Sequence, residues 1–161
     1  MTIRAVAASD AERIAEIYNH YVRETVVTFE EEPVPVAEMA QRIAAQSAEY
    51  PFLVIEADGA VAGYACASSW KRRSAYRFAA ESTIYLAPDC TRRGLGRPLY
   101  QALLAAMRER GLHCAIGGIA LPNPDSIRLH ERLGFAPIGR FQEVGFKFNR
   151  WIDVGYWEKL L

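Results

Sequence analysis

Apolar residues recur along this chain with two periods. Ile14, Ile17, Tyr18, Tyr21 and Val22 share one face at helical spacing, and so do Leu99, Leu103 and Met107. Recurrence at i, i+3, i+4 and i+7 marks an amphipathic helix. Residues 36–48 read as another helix with Met39 and Ile43 inward, and Ile127, Leu129 and Leu133 mark a shorter one. Between them lie runs rich in β-branched and aromatic residues, predicted as strands over 3–7, 52–57, 61–69, 77–86, 114–121, 135–148 and 151–160. Ser9 or Asp10 can cap the first helix, and Asn123-Pro124 reads as an N-cap with proline at the first helical position. Gly111 and Gly134 suit helix ends. Asp58-Gly59 is a two-residue hairpin signal, Asn149-Arg150 divides the last two strands, and Gly63 suggests a bulge. The predicted order is β-α-α-β-β-β-α-β-α-β-β. That is an α/β (α+β) chain with a mixed, mostly antiparallel sheet flanked by about four helices, and not a strict alternation.

Composition narrows this picture. With 161 residues, 51% apolar and 24% charged, one domain over 1–161 is expected. The formal net charge of +0 gives no support to a nucleic-acid or anionic-membrane partner, so basic clusters such as Lys71-Arg72-Arg73 must serve something local. Three cysteines, Cys66, Cys90 and Cys114, argue against a disulfide framework. They and His20, His113 and His130 form no metal-ligand spacing, so no metal is expected. Charges at Arg4, Asp10, Glu12, Arg13 and Glu16 interrupt the first residues, so neither a signal peptide nor a membrane span is expected there and a cytoplasmic location is the default.

The candidate chemistry centres on residues 80–104, a strand, a glycine-bearing turn and a helix. Arg92-Arg93-Gly94-Leu95-Gly96-Arg97 opens that helix. Such a turn presents unpaired N–H groups and a positive dipole end, and glycine lets the backbone approach a ligand, so a phosphate or pyrophosphate fits. A P-loop would require Gly-Lys-Ser/Thr, and Arg97-Pro98 follows Gly96. A dinucleotide fingerprint would require glycine where Leu99 stands. The turn resembles the acetyl-CoA loop of the GNAT N-acetyltransferases, Gln/Arg-x-x-Gly-x-Gly/Ala, with Thr91 where Gln or Arg is usual. Asn123, a short helix and Leu133-Gly134-Phe135 match a second element of that family, and His130 stands where many members carry tyrosine. A narrower resemblance spans nearly the whole chain. The segments 70–76, 80–85, 121–123, 145–147 and 151–157 resemble the phosphinothricin and methionine sulfone or sulfoximine N-acetyltransferases.

The resemblance implies acetyl-CoA as co-substrate, a small-molecule amine acceptor and a homodimer. It implies Glu81 and His130 as the catalytic pair. Gly94, Leu95 and Gly96 with Arg92, Arg93 and Arg97 would hold the pyrophosphate. Ile84, Tyr85 and Leu86 would offer main-chain groups to the pantetheine arm, and Asn123 would face that arm or only cap its helix. Glu81 is suited to take the amine's proton, directly or through water; its alternative is a surface salt bridge. His130 suits acid or base, or a core position satisfied by a hydrogen bond. Arg73 is the candidate for an anionic acceptor group, with Ser74, Thr83 and Phe29 as further pocket residues. Glu30-Glu31-Glu32 reads as a solvated face. Two other readings stand beside this one: acetylation of a protein N-terminus, polyamine or aminoglycoside, and an acyl-CoA-binding regulator without turnover.

Overall fold

A computed structural model of the chain covers residues 1–161. Its elements are β1 (Thr2–Ala5), α1 (Ala11–Glu24), α2 (Val36–Glu49), β2 (Phe52–Ala57), β3 (Ala60–Ser69), β4 (Ala79–Leu86), α3 (Gly96–Glu109), β5 (Cys114–Ala120), α4 (Pro124–Arg132), β6 (Ala136–Lys147) and β7 (Arg150–Leu160). This is the expected order, with single 3-10 turns added at Ala8–Asp10, Ser74–Tyr76 and Pro88–Cys90. The strands form one seven-stranded sheet, β1-β2-β3-β4-β5-β7-β6. Every neighbouring pair is antiparallel except β4 and β5, which are parallel.

That parallel pair positions the site. β4 and β5 are in register only from Ala79 to Glu81 against Cys114 to Ile116. Beyond Glu81 the two strands part, while β4 stays paired to β3 as far as Leu86 and β5 to β7 as far as Ala120. The sheet is therefore split, and the edge of β4 facing the split keeps unpaired main-chain groups. Buried groups of this kind must find a partner, in the protein, in water or in a ligand.

The helices cover both faces of this frame. On the face bearing Tyr64 and Tyr85, α1 stacks Tyr18 and Tyr21 against Tyr85 at centroid distances of 5.3 and 5.0 Å. On the opposite face α3 buries Leu99, Tyr100, Leu103 and Met107 completely. Side chains of this size each contribute roughly 1.5–3 kcal/mol when removed from water, so the apolar stripe fixes α3 against the sheet. No helix is long and apolar enough to cross a membrane.

Three local expectations are corrected. Asp10 does not cap α1 through its side chain. Its carboxylate instead accepts from the Ala7 N–H at 2.8 Å and pairs with Arg4 at 2.8 Å, because the 3-10 turn before α1 needs the same acceptor. The last hairpin turns at Phe148 and Asn149, both at positive φ, and Arg150 already pairs with Lys147. Two-residue turns of this hand require positive φ at both positions, and asparagine tolerates it best. Glu30 is not a free solvated acid: Arg42 holds it at 2.7 Å and the Tyr18 hydroxyl donates to it. The bulge expected at Gly63 is present: Ile55 faces Gly63 and Glu56 faces Val61, which leaves Ala62 as the extra residue, and Gly63 itself lacks room for a Cβ because the Tyr85 carbonyl oxygen would lie 2.7 Å away.

Candidate active site at the split of the sheet

Two cavities follow the split and share Val27, Ile84, Tyr85, Asn123 and Ser126. The larger, about 610 Å³, runs between the end of β4, the turn before α3 and α4. Arg92, Gly94, Leu95, Gly96, Arg97, Tyr85, Leu86 and Asn123 line it. Arg92 and Gly94 adopt positive φ, 60° and 79°, which turns the chain sharply into α3. The amides of Gly94 and Leu95 donate to no protein acceptor. A Cβ on Gly96 would make ordinary contact with side-chain methyls of Leu129 and Leu86 at 3.6 Å and of Ile84 at 3.9 Å. Free amides at a helix start and two arginines form a cradle with the chemistry of a pyrophosphate site. Arg93 does not join it. Its guanidinium reaches back to Asp58 in the β2–β3 turn at 2.6 Å.

Asn123 caps α4: its Oδ1 accepts from the Ser126 N–H at 3.1 Å. The other end of its amide makes no protein hydrogen bond, and the residue lines both cavities.

The second cavity, about 400 Å³, is walled by Glu81, Thr83 and Tyr85 of β4, by Phe29 and by Gly118, His130 and Tyr156. Alternation along β4 sends Glu81, Thr83 and Tyr85 to one side and Ser82 to the other. Gly118 of β5 makes the space beside Glu81: a Cβ there would sit 3.4 Å from the Glu81 Oε1 and 3.1 Å from the Tyr156 ring. The Glu81 carboxylate is partly buried and accepts no hydrogen bond from the protein. Burial raises its pKa above the ordinary 4.5, and Lys71 pulls it back only in part. Phe29 is held over β6 because Gly145 has no side chain: a Cβ there would lie 2.3 Å from its ring. The fully buried Lys147 ammonium donates to the Thr28 carbonyl at 2.8 Å and anchors the same segment.

His130 stands on the far side of the split from Glu81, in space that Gly117 leaves open; a Cβ on Gly117 would be 2.5 Å from its Nε2. It is 4% exposed. Its Nδ1 lies 2.8 Å from the Ser126 carbonyl, which only accepts, so Nδ1 carries the hydrogen. Its Nε2 lies 2.9 Å from the Tyr100 hydroxyl, which lies 2.7 Å from the Ser82 hydroxyl. Burial pulls the imidazole's pKa below 6.5, against the opposing effect of the Ser126 carbonyl.

Arg73 and Ser74 do not line either cavity. They lie in the exposed connector before β4, where Arg73 precedes a 3-10 turn and Ser74 begins it. The neighbouring Trp70 packs edge-on against Tyr156, at 5.5 Å between centroids. Tyr100, Gly117, Gly118, Tyr156 and Ser126 were not among the sequence-derived site residues. Paired glycines inside a strand are the signal that could have found two of them, since such glycines often mark close approach. No group of three or more His, Cys, Asp and Glu side chains is placed to hold a metal ion.

Residues 3–155 match the family model described as an acetyltransferase (GNAT) domain. The chain is 40% identical over 157 residues to a phosphinothricin N-acetyltransferase of Streptomyces viridochromogenes, covering 98% of this chain and 86% of that one. It is 38% identical to the L-methionine sulfoximine/L-methionine sulfone acetyltransferase of Salmonella typhimurium, covering 97% and 92%. Among solved structures, a phosphinothricin acetyltransferase of Sinorhizobium meliloti in complex with acetyl-CoA superposes with a TM-score of 0.95 at 39% identity, covering 99% of this chain and 88% of that one.

Proposed function

Because the chain belongs to the GNAT N-acetyltransferase family, we propose that it transfers an acetyl group from acetyl-CoA to the α-amine of a small amino-acid-like acceptor, of the phosphinothricin, methionine sulfoximine or methionine sulfone type. One observation carries the reading: a partly buried carboxylate with no protein partner, Glu81, faces a cavity continuous with a phosphate-binding turn. Acetyl-CoA supplies the activated acyl group. The amides of Gly94, Leu95 and Gly96, with Arg92 and Arg97, hold its pyrophosphate. The split edge of β4 from Ile84 to Leu86, where the Leu86 carbonyl already accepts from the Tyr21 hydroxyl at 2.6 Å, offers its remaining main-chain groups to the arm, as a strand edge does to an added strand, and Asn123 faces it from α4.

Glu81 accepts the proton of the amine, directly or through one water. Its raised pKa makes it a stronger base than an exposed glutamate. Transfer is direct: the smaller cavity is lined by no cysteine, and its hydroxyl side chains are weak nucleophiles. Thr83 and Phe29 shape the acceptor pocket. That pocket is lined by no lysine or arginine, whereas an anionic acceptor needs one. Arg73, in the basic turn beside Trp70 and Tyr156, is the candidate, with Ser74 next to it.

Thiol release measured across an amine panel tests the assignment. Phosphinothricin, methionine sulfoximine or methionine sulfone should outperform spermidine, aminoglycosides and peptides. Arg73→Ala should raise the acceptor KM with little change in kcat, as expected when binding common to ground and transition states is removed. A preference for polyamines or peptides, or unaltered acceptor kinetics in Arg73→Ala, overturns the substrate assignment.

The protein works as a homodimer in this reading. Phe141, Val144, Phe146, Phe148 and Trp151 expose 49–63% of their surface along the β6–β7 hairpin. Phe146 and Trp151 pack at 4.8 Å across the hairpin, and exposed apolar surface of this kind marks an interaction site. Sedimentation velocity should give twice the chain mass of 18.0 kDa, and a monomer at micromolar concentration would exclude the dimer.

A further inference from the structure

We infer that Tyr100 and Ser82 form a hydrogen-bond relay that connects the acceptor cavity to His130, so that His130 acts as a buried proton store and Tyr100 is the positioning residue that makes it reachable. The inference rests on the acetyltransferase reading for its purpose, but its geometry stands without it. Neither ring nitrogen of His130 is free to meet a substrate. Nδ1 is committed to the Ser126 carbonyl at 2.8 Å, and Nε2 points at the Tyr100 hydroxyl at 2.9 Å. Tyr100 is completely buried inside α3's packing against the sheet, yet its hydroxyl has a second neighbour, Ser82, at 2.7 Å. Ser82 is in turn 3.2 Å from the Ile116 carbonyl and lines the cavity at the split, with its side chain on the face opposite Glu81.

This chain satisfies its hydrogen bonds in either protonation state. With His130 neutral, the Tyr100 O–H donates to Nε2 and the Ser82 O–H donates to the Ile116 carbonyl or to the Tyr100 oxygen. With His130 protonated, Nε2–H donates to the Tyr100 oxygen, the Tyr100 O–H donates to Ser82, and the Ser82 O–H donates to the Ile116 carbonyl. Passing from one to the other takes one proton from the cavity onto the Ser82 oxygen. Ser82 gives its own proton to Tyr100, and Tyr100 gives its own to Nε2. Each oxygen keeps one hydrogen, and the imidazole gains one. The source is the reacting nitrogen: Glu81 takes the first proton of the acceptor's ammonium, and the relay takes the second, which the nitrogen sheds as the amide forms.

The groups facing His130 from the packed elements are Tyr100 and Phe135, which contact its ring, Ser82 behind Tyr100, and the backbone of Gly117; none is charged. Glu81 and Tyr156 are the titratable groups that share its cavity. The burial that holds the imidazole neutral also makes its proton easy to return.

The test pairs an NMR titration of the His130 side chain with kinetics. Wild type and Tyr100→Phe are compared, with Ser82→Ala as a second break in the relay and His130→Gln to assign the signal among the three histidines. In the wild type, neutral His130 should show hydrogen on Nδ1. Tyr100→Phe leaves a protonated Nε2 without an acceptor, so the His130 pKa should fall further. Its kcat should drop roughly tenfold, the scale of one lost hydrogen bond, with both KM values nearly unchanged and the pH profile displaced. Ser82→Ala should lower kcat without moving the His130 titration as far. A His130 titration unchanged by Tyr100→Phe, hydrogen on Nε2 in the neutral wild type, or a kcat loss with an unaltered pH profile would overturn the relay. The titration needs no substrate, so an inactive amine panel would remove the acetyltransferase reading and leave this result interpretable.

Discussion

Replacing Glu81 with glutamine is expected to lower kcat by on the order of 10²-fold or more, the usual scale of general base catalysis, with acetyl-CoA affinity almost unchanged. Glutamine keeps the volume beside Gly118 and Tyr156, so the cavity keeps its shape. What disappears is the group that takes the proton. Wild-type kcat should rise with pH through the raised pKa of Glu81, and the variant should lose that limb. The same substitution should stabilise the fold. A carboxyl whose pKa is higher folded than unfolded binds more protons in the folded state, so stability declines as pH rises from the unfolded pKa through the folded one. Above that window the penalty for the buried charge is complete, and glutamine relieves it. The melting temperature of Glu81→Gln at pH 7 should therefore exceed that of the wild type, and the difference should shrink as pH falls. Near-normal turnover in this variant would move the base elsewhere, with His130 the first place to look.

Gly96→Phe is expected to raise the KM for acetyl-CoA roughly tenfold or more. A hydrogen bond to a charged group is worth about 1.5–3 kcal/mol, so losing even one at the pyrophosphate accounts for a factor of this size. Gly96 separates a binding effect from a folding effect better than Gly94 does. Gly94 sits at φ 79°, where any side chain strains the backbone. Gly96 begins α3 without positive φ, and its missing Cβ would meet only methyl groups at ordinary contact distance. A phenyl there projects into the cavity between β4 and α4 while the fold tolerates its first carbon. Calorimetric titration of acetyl-CoA, beside a melting curve close to wild type, is the measurement. Unchanged affinity would remove the turn from the cofactor site.

The order of elements was legible because each run of strand or helix carries its own period and its own punctuation. The phosphate turn was legible for the same reason: its glycines and arginines are contiguous. Glu81 was singled out by its place on β4 and by the family resemblance. Its desolvation was not visible, because that depends on Gly118 and Tyr156, about 37 and 75 residues later on neighbouring strands. Tyr100 carried no signal at all. It reads as one more apolar position beside Leu99 and Leu103, and only the parting of β4 from β5 brings it between Ser82 and His130. Arg93 misled for a related reason: its neighbours in sequence point to phosphate, but a hairpin 35 residues earlier offers it a carboxylate. Arg73 belongs to a connector whose side chains no local pattern can aim.

The short register between β4 and β5 has a further meaning for how the molecule holds together. Three residue pairs join β1–β4 to β5–β7, while β3–β4 and β5–β7 each pair along seven. The sheet is thus two rafts on one brief hinge, and its weakest backbone coupling coincides with the channel where an extended ligand would lie. A ligand that bonds the edge of β4 and also touches α4, which follows β5, works as a missing strand. Its binding energy then becomes cooperativity between rafts, so occupancy of the channel decides whether the protein opens in two units or in one.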